Sequence, residues 1–192
     1  HTKKLHFIAY DLSLNEFNHV HPIFDGAVWK VDLNLPVNGN YFIWVQGELA
    51  DNTEFSALTQ ATLLNGKPEN PVLSLGDVRK GSDDKTIFEL ASTKIKAGKM
   101  VMLNFKISRS DASAPVITPY LGALAHVIAT SFSGVALIHV HPMKGDQPNT
   151  GMIHATFPTE GSYRLWGQFN DHDELKTLPI SVGSDAWLFA RG

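Results

Sequence analysis

Residues 5–22, LHFIAYDLSLNEFNHVHP, align without a gap on residues 125–142, AHVIATSFSGVALIHVHP, at an offset of 120. Eight of the 18 positions are identical: His6/His126, Ile8/Ile128, Ala9/Ala129, Ser13/Ser133, His19/His139, Val20/Val140, His21/His141 and Pro22/Pro142. Each copy runs as an apolar strand, a polar turn and a return strand rich in β-branched and aromatic residues. If His6 pairs with His21, then Ile8 faces His19 and Tyr10 faces Phe17. Side chains alternate across a strand, so His6, His19 and His21 share one face of the hairpin. His126, His139 and His141 repeat that arrangement. Pro22 and Pro142 end the return strands, because proline cannot continue a central ladder.

The repeat continues outward. Pro36-x-x-Gly39-x-Tyr41-x-x-Trp44-x-Gln46 matches Pro158-x-x-Gly161-x-Tyr163-x-x-Trp166-x-Gln168 at an offset of 122, so the second copy carries two extra residues between hairpin and turn. Pro then Gly marks a tight turn, and Tyr and Trp three apart fall on opposite faces of a strand. One reading puts the Trp between sheets and the Tyr at a corner; the other takes both as ordinary core aromatics. Residues 28–33, 41–45, 86–90 and 100–105 also read as strands, and helical periodicity is poor everywhere, including residues 56–64. The predicted fold is all-β: two Ig-like β-sandwich modules related by the internal repeat. The Pro-, Gly- and Asn-rich stretch 65–71 is the predicted linker, giving a first module over residues 1–66 and a second over 67–192. The second has strands ahead of its hairpin, whereas the first starts at its own. Either the first is truncated or the middle of the chain completes it.

The 192 residues are 43% hydrophobic and 18% charged, with a net charge of −3. That composition excludes a disordered tail and gives no electrostatic pull toward nucleic acid. No apolar run is long enough to span a membrane as a helix. There are no cysteines, which excludes disulfides, thiolate metal sites and a cysteine nucleophile, and mildly favours an oxidising compartment.

Histidine stands out, with nine residues. Three imidazoles on one hairpin face can converge on an ion at about 2.0–2.1 Å per bond. The alternative is a structural trio, hydrogen-bonded and metal-free. Repetition of all three histidines, while Tyr10/Thr130 and Glu16/Ala136 diverge, favours metal. All-imidazole sites suit copper, zinc and nickel, and copper is the first expectation with zinc the alternative. His154 and Met152 have no counterparts in the first copy, so His154 is expected to enlarge the second site. His172 reads as a solvated loop residue. His1, were it a mature N-terminus, offers an amino group and a ring to copper, or is an accident of where the sequence starts. Phosphate-loop, nucleophile-elbow, dinucleotide-binding and H-E-x-x-H motifs are all absent. A zinc hydrolase would need a carboxylate beside the metal, for which Glu16, Asp25 and Asp146 are candidates.

His-x-His-Pro after an apolar strand, the Pro-x-x-Gly-x-Tyr-x-x-Trp-x-Gln run, and the stretch from Tyr120-Leu121-Gly122-Ala123 to His126 resemble a group of bacterial extracytoplasmic tandem Ig-like proteins associated with heavy-metal or copper handling. The resemblance implies a periplasmic or secreted location and a metal class, not a reaction. The leading expectation is a non-catalytic protein that binds, buffers or delivers metal through His6, His19, His21, His126, His139, His141 and His154. The alternatives are an Ig-like module that binds a protein partner in the cell envelope, its histidines structural, or a zinc-dependent hydrolase.

Overall fold

Sixteen strands and no helix make up the regular structure among the described residues of the computed structural model, which are 5–49, 51–71, 76–120 and 123–185. The chain divides into two units, residues 1–74 and 75–192. Lys67, within the expected linker, pairs with the first unit through its amide to the Pro36 carbonyl, and Asn70 Nδ2 donates to Glu16 Oε1 at 2.9 Å.

The first unit contains β1 (Leu5–Asp11), β2 (Phe17–Val20), β3 (Ile23–Phe24), β4 (Trp29–Lys30), β5 (Gly39–Glu48) and β6 (Glu54–Leu63). Four of them form one antiparallel sheet in the order β2-β1-β5-β6, and β3 and β4 form a separate ribbon. All but the last residue of the stretch 56–64, weakly helical in pattern, fall in β6, where cross-strand pairing with β5 decides its state. The small core lies on one face, where Ala9, Tyr41 and Ile43 meet Leu33, Leu35 and Val37 from the segment after β4.

The second unit contains β7 (Lys80–Ser82), β8 (Thr86–Leu90), β9 (Met100–Arg109), β10 (Ile117–Thr118), β11 (His126–Ser131), β12 (Leu137–Val140), β13 (Met143–Lys144), β14 (Thr150–Thr156), β15 (Gly161–Asp171) and β16 (Glu174–Ser184). One sheet places β11 between β15 and β12, with β16 and β10 also paired to β15; the other runs β13-β14-β9-β8-β7. Alternate residues of each sheet point into a shared core. Val127, Ala129, Tyr163, Leu165, Phe169, Ile180 and Val182 come from the first sheet, and Phe88, Leu90, Leu103, Phe105, Ile107, Ile153 and Ala155 from the second. Phe88 anchors this layer, its ring centroid 5.0 Å from Phe105 and 5.9 Å from Phe169. Each such buried aromatic side chain is worth about 1.5–3 kcal/mol relative to exposure.

The registers carry the repeat into three dimensions. Ile8 pairs with His19 on one side and Trp44 on the other; Ile128 pairs with His139 and Trp166. Among the described residues, the first unit consists of a four-stranded sheet and a ribbon, whose counterparts in the second unit are β11, β12, β15, β16 and β13–β14. The uncovered part of its core face is an apolar groove lined by Leu5, Phe7, Trp29, Val31, Val45 and Phe55. One substitution between the copies registers the difference. Gly167 stands where the first copy has Val45, and a Cβ on Gly167 would lie 3.0 Å from the Phe88 ring.

Both tyrosines form corners. Tyr41 Oη donates to the Val37 carbonyl at 3.0 Å and Tyr163 Oη to the Thr159 carbonyl at 3.0 Å, each four residues upstream. The tryptophans do not sit between the sheets of their own modules. Trp166 lies on the face opposite Tyr163 and Leu165, and Trp44 Nε1 donates to Tyr10 Oη at 2.8 Å on the corresponding face of the first unit. Strand parity imposes this, because Tyr and Trp are an odd number of residues apart.

Candidate metal centres

Each histidine hairpin is held at its turn. In the first, the Asp11 carboxylate accepts the amides of Asn15 and Glu16 at 3.0 Å each and the Ser13 hydroxyl, and Leu14 takes a left-handed conformation with φ of 59°. In the second, Ser131 and Ser133 share a hydrogen bond of 2.9 Å and Gly134 supplies the left-handed position with φ of 76°. The turns thus centre where the alignment expects them, and that centring sets which residues oppose each other.

The result is a convergence of ring nitrogens in each unit. His6, His19 and His21 each offer one nitrogen, all within 4.8 Å of one another, and so do His126, His139 and His141. In the first trio His6 Nδ1 lies 3.0 Å from His19 Nε2 and 3.0 Å from His21 Nε2. In the second, His126 Nδ1 lies 3.4 Å from His139 Nε2. A tetrahedral ion with metal–nitrogen bonds of about 2.0–2.1 Å needs ligand nitrogens about 3.3 Å apart. Hydrogen bonding alone fits the first trio less well. A ring nitrogen has one hydrogen or one lone pair in the ring plane, so His6 Nδ1 can satisfy only one of its two neighbours with good alignment.

The second site has a support that sequence reasoning missed. Tyr120 and Ala123 form an antiparallel bridge, and the Tyr120 carbonyl lies 3.0 Å from His126 Nε2. A carbonyl only accepts, so His126 Nε2 carries the hydrogen and Nδ1 keeps its lone pair facing His139. Histidine ligands in metal sites are oriented by such partners. The signal was present only as the Tyr120-to-His126 motif, since the contacting atom belongs to the backbone. Burial pushes the His141 imidazole pKa below its ordinary value, which keeps that ring neutral and able to ligate.

His154 does not join the second trio. It lies on β14, in the other sheet of the sandwich, where neighbouring Ile153 and Ala155 enter the core; parity therefore turns His154 away from that core, to the exposed face. Its Nε2 sits 3.2 Å from Met152 Sδ. The expectation of a four-histidine second site is corrected accordingly. His172 is exposed, in the two-residue turn between β15 and β16, where it and Asp173 both have positive φ. His1 lies outside the described residues. Among the described residues neither trio includes a carboxylate. Glu16 is engaged by Asn70, and Asp25 accepts the amides of Ala27 and Val28 and pairs with Lys30, which lowers its pKa to about 2.

Residues 80–186, more than half of the chain, match the family described as a domain of unknown function (DUF8832). The chain belongs to the DUF8832 family. The matched region takes in β7 to β16, and so both sheets of the second unit, the trio His126, His139 and His141, and His154. The first hairpin lies outside it. No curated protein matches the chain. Among solved structures, the chain is similar to one described as "Structures of Clostridium thermocellum CbhA fibronectin(III)-like modules", with 14% identity over 96% of this chain and 80% of that one, at a TM-score of 0.28.

Proposed function

We propose that this DUF8832 protein is a transition-metal-binding β-sandwich protein that holds one ion on each histidine hairpin, copper first and zinc as the alternative, and that it binds, buffers or delivers metal outside the cytoplasm. The observation that carries the reading is the doubled convergence of three ring nitrogens, with His6 Nδ1 at 3.0 Å from two others. Neutral imidazole suits Cu(II) and Zn(II), and raw affinity favours Cu(II). The extracytoplasmic location rests on the resemblance in the hairpin motifs alone.

The test is elemental analysis of protein purified without a nickel column, combined with thermal melts in added Cu(II) or Zn(II). Two bound ions per chain are expected, and a stabilisation of about 2.7 kcal/mol at a hundredfold excess over the dissociation constant. If the histidines are structural parts of a protein-binding module, neither ion binds stoichiometrically, the melting temperature does not move, and His21→Ala destabilises the protein with no metal present.

A further inference from the structure

The four methionines of the chain, Met100, Met102, Met143 and Met152, all lie in the second unit on β9, β13 and β14. Methionine is an apolar side chain that usually fills core gaps, yet Met100, Met102 and Met143 are 64%, 53% and 57% exposed. The pairing explains how they come together. Met143 is directly opposite Met152, and His154 is directly opposite Met102. Leu103, Ile153 and Ala155 point into the core, so Met102, Met152 and His154 project from the other face of the same strands. Directly paired residues have Cβ atoms about 4.5–5.5 Å apart, and diagonal ones remain within reach of long side chains. The His154 Nε2 to Met152 Sδ contact of 3.2 Å shows that the two donors already meet.

We propose that Met102, Met152 and His154 form a separate soft-metal site for a monovalent ion of the copper group, with Met143 beside Met152 at its rim. Thioether sulfur is neutral at every pH and soft, so it selects Cu(I) over Zn(II) and Cu(II). One imidazole added to the two thioethers of Met102 and Met152 brings no charge, so the ion's single charge is the only one these ligands must accommodate. The first unit has Ile23, Lys30 and Asp32 at the positions of Met143, Met152 and His154, so this site belongs to the second copy alone. It uses none of the six hairpin histidines and stands whether or not the trios hold metal.

The experiment uses the full chain labelled at its methionine methyl carbons and titrated with Ag(I), a redox-inert stand-in for Cu(I). The methyl signals of Met102, Met143 and Met152 and the ring signals of His154 are expected to shift together and saturate at one equivalent. The shifts persist in a His126→Ala, His139→Ala, His141→Ala variant, and Met102→Leu with Met152→Leu weakens binding by at least about tenfold. Zn(II) leaves the methyl signals in place. Methyl signals that do not respond to Ag(I), that respond only when the trio is intact, or that respond equally to Zn(II) would overturn the proposal, and the wild-type titration alone is sufficient to do so.

Discussion

Gly39 and Gly161 occupy equivalent turns ahead of the two corner tyrosines, with φ of 112° and 118°. Side chains other than hydrogen rarely adopt that conformation. At Gly161 a Cβ would meet nothing within 4 Å, so the cost of substitution is backbone strain alone. Gly161→Ala is therefore expected to destabilise the protein by about 1–3 kcal/mol, read from the midpoint of denaturant unfolding. At the histidines, protons compete with metal for the same lone pairs. Affinity for Cu(II) or Zn(II), followed by calorimetric titration, is expected to fall as pH drops through about 6.5, the ordinary imidazole value. Burial lowers the His141 pKa below that value.

At the scale of elements, the buried Asp171 joins strands that the sequence keeps far apart. It accepts hydrogen bonds from Thr86 on β8, Arg109 on β9 and the Val116 amide, at 2.9 Å each. Burial alone would raise the Asp171 pKa, but these bonds outweigh it and lower the value. A carboxyl with a depressed folded pKa stabilises above the unfolded value of about 3.9 and loses that contribution as pH falls through it. Stability measured by denaturation is thus expected to drop with acidification below about pH 4, and less steeply in Asp171→Asn, which has no carboxyl to titrate. Arg109→Ala, which leaves the buried carboxylate short of its charge partner, is expected to cost about 3–5 kcal/mol. Gly167→Val restores the residue type of the first copy but presses on Phe88 in the opposing sheet; overpacking of this kind costs about 1–3 kcal/mol.

At the scale of the whole molecule, the two units share a sheet plan and differ, among the described residues, in how many strands pack on it. The second has two sheets around one continuous core, and the first has one sheet, a ribbon and an apolar groove. A single sheet with a small core is a marginal folding unit, while a two-sheet sandwich is a sufficient one. Residues 75–192 expressed alone are expected to unfold cooperatively and to keep the second trio. Residues 1–74 alone are expected to show no cooperative transition. Calorimetry of the two fragments checks both outcomes.

The hairpins, their turns and the one-sided placement of both histidine trios were legible in the sequence. They depend on local strand parity and on a gapless repeat, and both are written in residue spacing. The internal repeat likewise announced the all-β, Ig-like plan and the Pro-x-x-Gly turns. Tertiary structure alone decided which sheet each strand entered. His154 is close in sequence to the second hairpin, yet β14 pairs with β9 rather than with β11 or β12, so it stands with the methionines instead of the trio. The joining of Asp171 to β8 and β9 was hidden for the same reason. It depends on contacts between segments distant in sequence, and pairing between strands, unlike alternation within one, leaves no period in the chain.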